Sequence, residues 1–221
     1  MKRFAFYVSN NATRLKKFLN EFKDHPLIKS IIFVLIDNNS NLDLKILCRT
    51  LSINLYEVDL KNVQNKNQFI SKLLLDYLIE HNIDYCFVFA NRILEGELLV
   101  KYKNRLINFH PSILPSHKGL NAIDQALKSK TFLLGNTAHF ITQEVDSGLV
   151  IMQNILPSIK FSGYDDVLDK QIVMLLQLMD WINNNRLKII DDRVVIEGAS
   201  YEVSEFIPNI DLNIIKNYGR K

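Results

Sequence analysis

Asn108 and His110 stand two residues apart in the run Ile107-Asn108-Phe109-His110-Pro111-Ser112-Ile113-Leu114-Pro115, the densest group of reactive side chains in the chain. Residues 105–109 read as a strand, and alternate strand residues share a face, so the amide and the imidazole leave it on one side. Pro111 and Pro115 then stiffen the turn and end sheet pairing. Such a pair suits acyl transfer. An Asn N–H donates to an oxygen that turns negative in a tetrahedral transition state, worth about 3 kcal/mol when well aimed. A His relays a proton from an attacking amine to a leaving group. The pair lacks a carboxylate to orient the imidazole or an ordered water, and Asp146, in the turn Val145-Asp146-Ser147-Gly148, is the candidate for that role. On these residues alone the plainer reading, His-Pro as a turn device at a strand end, stays open.

Around these residues the chain alternates two hydrophobic periods. Strand-like runs are expected at 3–8, 31–36, 53–58, 84–89 and 105–109, and helical spacing at 13–22, 42–51 and 68–80. The core face of 68–80 is Ile70, Leu73, Leu74, Tyr77 and Leu78. Strands separated by such helices imply βαβ units, hence an α/β, Rossmann-like, mostly parallel sheet. Ser9-Asn10-Asn11 is expected to cap the first helix, and Asp37-Asn38-Asn39-Ser40-Asn41 to end the second strand.

The second half changes character. Residues 121–129 read as a helix, 137–142 and 149–155 as an antiparallel pair, and 165–183 as a long helix covering the core. A hairpin over 188–196 turns at Asp191-Asp192, and the tail beyond it packs on the body, frays or makes a dimer contact. The expected division is a catalytic domain over 1–188 with an extension over 189–221.

Composition narrows the function further. The chain has 221 residues, 48% apolar, with 27 basic and 24 acidic side chains scattered along it for a net charge of +3. No basic block points to nucleic acid or to an anionic membrane surface. No apolar run is long enough to span a membrane, and the N-terminal run is too short for a signal peptide, so a cytoplasmic protein is expected. Cys48 and Cys86 lie in apolar runs and read as buried free thiols. No His, Cys and Asp grouping has metal-ligand spacing, so no metal is expected. Only seven glycines occur, none before Gly96, which excludes a P-loop or a G-x-G-x-x-G turn in the first βα unit.

Residues 105–153 resemble the catalytic core of the formyltransferases that use 10-formyltetrahydrofolate, a family with phosphoribosylglycinamide and sugar N-formyltransferase branches. The resemblance is carried by Asn108 through Pro115, Gly119, Gln125-Ala126-Leu127, Gly135, Thr137, His139-Phe140, Asp146-Ser147-Gly148 and Ile151-Met152-Gln153. Weaker similarity runs from Met1 to about Arg193. The resemblance implies a catalytic trio of Asn108, His110 and Asp146. It also implies a folate site at Asn91, Arg92, Ile93 and Leu94 and in the loop holding Thr142, Glu144 and Val145, with Ile93 and Leu94 as an apolar slot.

The glycine-rich turn that cradles the acceptor phosphate in the glycinamide branch is replaced here by Ser9-Asn10-Asn11-Ala12-Thr13-Arg14, leaving Asn10, Asn11, Thr13 and Arg14 as acceptor candidates. Met174-Leu175-Leu176 stand near the place of that branch's acidic acceptor residue. His117 and Lys118 read as acceptor contacts or surface residues, His139 as a hydrogen-bonded structural histidine, and His25 and His81 as helix-end or loop residues.

The function expected is formyl transfer to a primary amine, with a nucleotide-linked amino sugar favoured as acceptor. Phosphoribosylglycinamide formyltransferase of purine biosynthesis and a non-catalytic folate-binding relative are the alternatives. Transfer to an aminoacyl-tRNA would need a large basic surface that the chain lacks. The expected partners are folate and a small amine, with a homodimer open.

Overall fold

The structure, a computed structural model, describes residues 1–37 and 41–216. The expected turn residues Asn38, Asn39 and Ser40, and the tail from Asn217 on, lie outside the described residues. The chain forms two compact units, Met1–Ile107 and Asn108–Lys221.

The first unit alternates β1 (Phe4–Val8), α1 (Thr13–Glu21), β2 (Ile31–Ile36), α2 (Leu42–Thr50), β3 (Asn54–Glu57), α3 (Lys66–Glu80), β4 (Tyr85–Phe89) and the short α4 (Glu97–Lys101). Its strands run in the order β4-β1-β2-β3, and every pairing among them is parallel. The pattern follows from burial on both faces. All five residues of β1 are buried, and so are five of the six in β2, which explains why these strands read as unbroken apolar runs. Phe6 stacks on Phe87 at 5.3 Å and lies 6.4 Å from Phe18 of α1, tying the central strands to the first helix. In α3 the buried stripe is Ile70, Ser71, Leu74, Leu75 and Leu78, with Leu73 and Tyr77 at its margin.

One expectation fails in this unit. Ser9-Asn10-Asn11 does not cap α1, whose N-cap is Ala12, with φ 48° and no side-chain cap bond. The Ser9 hydroxyl is drawn off to the Asp37 carboxylate at 3.1 Å, and Asn10 and Ala12 both adopt left-handed backbone.

The second unit opens within β5 (Leu106–His110) and continues with α5 (Ala122–Lys128), β6 (Leu133–Phe140), β7 (Val150–Pro157), α6 (Tyr164–Asn183), β8 (Leu187–Ile190), β9 (Arg193–Ile196), β10 (Phe206–Ile207) and α7 (Leu212–Lys216). β6 and β7 pair antiparallel, as expected of a sheet-edge excursion, and β10 adds antiparallel to β7. β6 begins at Leu133 rather than at Thr137. Gly135 lies inside it because backbone approaches closely there: a Cβ would sit 2.0 Å from the Asn154 carbonyl oxygen. The strand also ends at Phe140, leaving Thr142 in the following loop. β8 and β9 form the expected hairpin, with Asp191 at φ 49° and Asp192 at φ 55° completing its two-residue turn. Met174, Leu175 and Leu176 of α6 are core residues. Both cysteines are buried and free, and burial pushes the Cys48 thiol up to about 12. No described helix is long and apolar enough to cross a membrane.

Candidate active site

β5 delivers Asn108 and His110 to one side of the second unit, and the turn that follows is pinned from β6. The Thr137 hydroxyl donates to the Ser112 carbonyl at 2.7 Å and accepts the Leu114 N–H at 3.0 Å. Gln153, paired across from Thr137 on β7, donates to the Thr137 hydroxyl and to the Leu114 carbonyl. Thr137 and Gln153, both part of the family resemblance, thus have a physical role in fixing the turn that aims His110.

Asp146 meets His110 as expected. Its Oδ2 lies 3.2 Å from His110 Nδ1 and accepts the Gly119 N–H at 2.8 Å, and its side chain is almost wholly buried. Asp146 takes φ 51°, a left-handed conformation that Asp tolerates better than most residues and that turns the carboxylate inward. Burial alone would raise its carboxyl pKa. The neighbouring His139 ring, the Gly119 N–H and the His110 imidazole outweigh burial and hold the value below the usual carboxylate range.

His110 Nε2 sits 2.8 Å from the His117 carbonyl oxygen. Both ring nitrogens thus face groups that only accept hydrogen bonds, an arrangement the doubly protonated ring satisfies in full. Protonated in that way, the ring is a proton source aimed by its surroundings.

His139, read from sequence as structural, also belongs to this cluster. It is buried in β6, with Nδ1 2.9 Å from the Phe140 carbonyl oxygen, and Nε2 3.3 Å from Asn108 Nδ2 and 3.4 Å from Asp146 Oδ1. The signal that marks it is alternation: Thr137 and His139 are polar, two apart, and share the face of β6 that serves the site.

Of the acceptor candidates, His117 and Lys118 lie with the trio. His117 contributes its carbonyl, and Lys118 bonds Ser147 at 2.8 Å and pairs with Glu144 at 3.8 Å. Thr142, Glu144 and Val145 are exposed in the loop before Asp146, with the Thr142 hydroxyl donating to the Glu144 carbonyl. The other candidates belong to the first unit. Asn10, Asn11, Thr13 and Arg14 follow β1, and Arg14 lies over the Phe89 ring at 4.6 Å, where burial lowers its pKa to about 10. After β4, Leu94 is buried, Ile93 is about half exposed, and the Arg92 guanidinium is held at 2.6 Å by Asp37. Tyr7 and Ser9 also donate to the same Asp37 oxygen, a network that no sequence motif announces. His25 accepts the Leu27 N–H at a 3-10 turn, and His81 ends α3, both as expected.

Comparison with known proteins shows the family. Residues 2–170 match the formyl transferase family. The trifunctional purine biosynthetic protein adenosine-3 of Homo sapiens is 31% identical over 70% of this chain, which spans only 15% of that protein's length. Phosphoribosylglycinamide formyltransferase of Haemophilus influenzae is 23% identical over 93% of this chain and 99% of its own length. Among solved structures, glycinamide ribonucleotide transformylase 1 from Symbiobacterium toebii superposes with a TM-score of 0.78 at 25% identity, covering 89% of this chain and 94% of that one.

Proposed function

Since this chain belongs to the formyl transferase family, we propose that it moves the formyl group of 10-formyltetrahydrofolate to a primary amine by direct attack, without a covalent enzyme intermediate. The observation that carries the reading is the convergence of Asn108, His110 and Asp146 within the second unit, with His110 Nδ1 and Asp146 Oδ2 at 3.2 Å. The amine nitrogen bonds to the formyl carbon, whose oxygen gains negative charge. An Asn108 N–H and the His110 imidazolium stabilise that oxygen. The bond from carbon to the folate nitrogen then breaks, and the proton lost by the amine ends on that nitrogen with His110 as relay. Asp146 keeps the imidazole oriented through its contact with Nδ1. His110 Nε2 reaches the substrate only when the His117 carbonyl gives it up. The loop of Thr142, Glu144 and Val145 is the proposed folate contact of the second unit, and the segment from Asn91 to Leu94 is the candidate of the first.

Phosphoribosylglycinamide is the proposed acceptor, ahead of a nucleotide-linked amino sugar. The relatives named above support it. So does the turn after β1, where Asn10 and Ala12 adopt the left-handed backbone that a glycine-rich phosphate turn uses. The test is release of tetrahydrofolate from 10-formyltetrahydrofolate with phosphoribosylglycinamide and a panel of nucleotide-linked amino sugars in parallel. Turnover with phosphoribosylglycinamide alone is expected. Turnover confined to a sugar refutes the acceptor, and formate release without any acceptor refutes the transferase reading.

A further inference from the structure

His139 has no part in the chemistry set out above, yet it touches two of the three groups that do. We propose that His139 is a positioning residue: as the neutral ring protonated at Nδ1, it accepts one N–H of Asn108 and so fixes which way that amide faces. The kinetic consequence rests on the formyl-transfer reading; the hydrogen-bond role does not.

The argument is one of donors and acceptors. The Phe140 carbonyl, 2.9 Å from Nδ1, can only accept, so Nδ1 carries a hydrogen. Nε2 then has either a lone pair or a hydrogen to offer, and two neighbours compete for it. With the lone pair it accepts from Asn108 Nδ2 at 3.3 Å; with a hydrogen it donates to Asp146 Oδ1 at 3.4 Å and leaves the amide without an acceptor. The two states exclude each other.

His110 decides between them. Its two nitrogens face only acceptors, Asp146 Oδ2 and the His117 carbonyl, so one extra proton satisfies both contacts there. On His139 the same proton would gain one contact and lose another. The proton belongs on His110, and His139 stays neutral.

A neutral His139 forbids the Asn108 amide from flipping, because the flipped amide would set Oδ1 against the Nε2 lone pair. One N–H is spent on the ring and the second remains for the developing oxyanion. The anchor of this arrangement is itself built in. A Cβ at Gly148 would come within 1.8 Å of the Phe140 carbonyl oxygen, so only glycine leaves that carbonyl in place to hold Nδ1.

His139→Gln and His139→Leu test this, since both are near histidine in size and only Gln offers an acceptor at the same reach. For His139→Leu, kcat is expected to fall roughly 10–100-fold with KM for both substrates within about twofold, the pattern of a misaimed group rather than a lost binding contact. His139→Gln is expected to recover kcat to within about tenfold of the unaltered protein. The Asn108 side-chain amide signals in NMR give a readout independent of activity: distinct and slowly exchanging in the unaltered and Gln proteins, fast exchanging in Leu. Equal loss in both variants, no loss in either, or unchanged amide signals in the Leu protein overturns the proposal. If the Leu protein does not fold, the Gln kinetics and amide signals decide alone. If the unaltered protein transfers no formyl group, the function reading falls while the amide signals still judge His139.

Discussion

Two turns follow strand ends in this molecule and are built in opposite ways. The turn after β5 is held by side chains from elsewhere in the second unit: Thr137 and Gln153 grip residues 112–114, and Asp146 holds both His110 and the Gly119 N–H. The turn after β1 is anchored at Ser9, whose hydroxyl donates to Asp37 and whose N–H donates to the Phe89 carbonyl, and its curvature comes from backbone. Ala12 bonds back to the Ser9 carbonyl at 3.2 Å, α1 has no side-chain cap, and the shape depends on left-handed conformations at Asn10 and Ala12. The contrast matches the different roles proposed for the two turns. A group that must give and take a proton at one point needs its direction fixed from several sides. A turn that presents N–H groups to an anion needs only its curvature.

If that contrast is right, removing the carboxylate that serves the second turn has the larger effect of the two. Asp146→Asn keeps a residue tolerant of left-handed backbone but removes the charge that orients His110. Turnover is expected to fall about 10³-fold or more, measured as tetrahydrofolate release, with the fold intact by circular dichroism. The same variant has a signature in acid. Because the folded-state pKa of Asp146 is depressed, its contribution to stability is complete above the ordinary carboxylate range and is lost as pH falls through the depressed value. Urea midpoints of the unaltered protein should therefore drop more between neutral and acid pH than those of Asp146→Asn.

The smallest effect should come from the first turn. Ala12→Gly relieves an L-residue held at φ 48°, and although glycine also widens the unfolded ensemble, stability is expected to rise by about 0.5–1 kcal/mol in urea melts. A loss of similar size would mean that the left-handed backbone is not strained and that the contrast between the turns is overstated.

The elements that position the site were legible because each has one dominant local signal. The unbroken apolar run Ile31–Ile36 is a strand buried on both faces, and Asp191-Asp192 between two short apolar runs is a hairpin turn. The trio was legible for a different reason: Asn108 and His110 share a strand face, and Asp146 sits in a turn whose neighbours resemble those of a known family. What escaped were features created by tertiary contact. Ala12 carries no local preference for left-handed backbone; its conformation is imposed by the chain around it. His139 looked structural because its sequence neighbours are apolar, and only packing brings its Nε2 to Asn108 and Asp146. The Asp37 network draws on residues in or after three different strands, so no window of sequence contains it.

The central claim is that His110 steadies the oxyanion and moves the proton in a formyl transfer, and does not hold the folate. His110→Ala, assayed with 10-formyltetrahydrofolate and phosphoribosylglycinamide beside a direct measurement of folate affinity, addresses it most simply. The account predicts turnover reduced by several orders of magnitude with folate binding changed less than about threefold. A variant that keeps its turnover, or one that loses turnover only because it no longer binds folate, would contradict it.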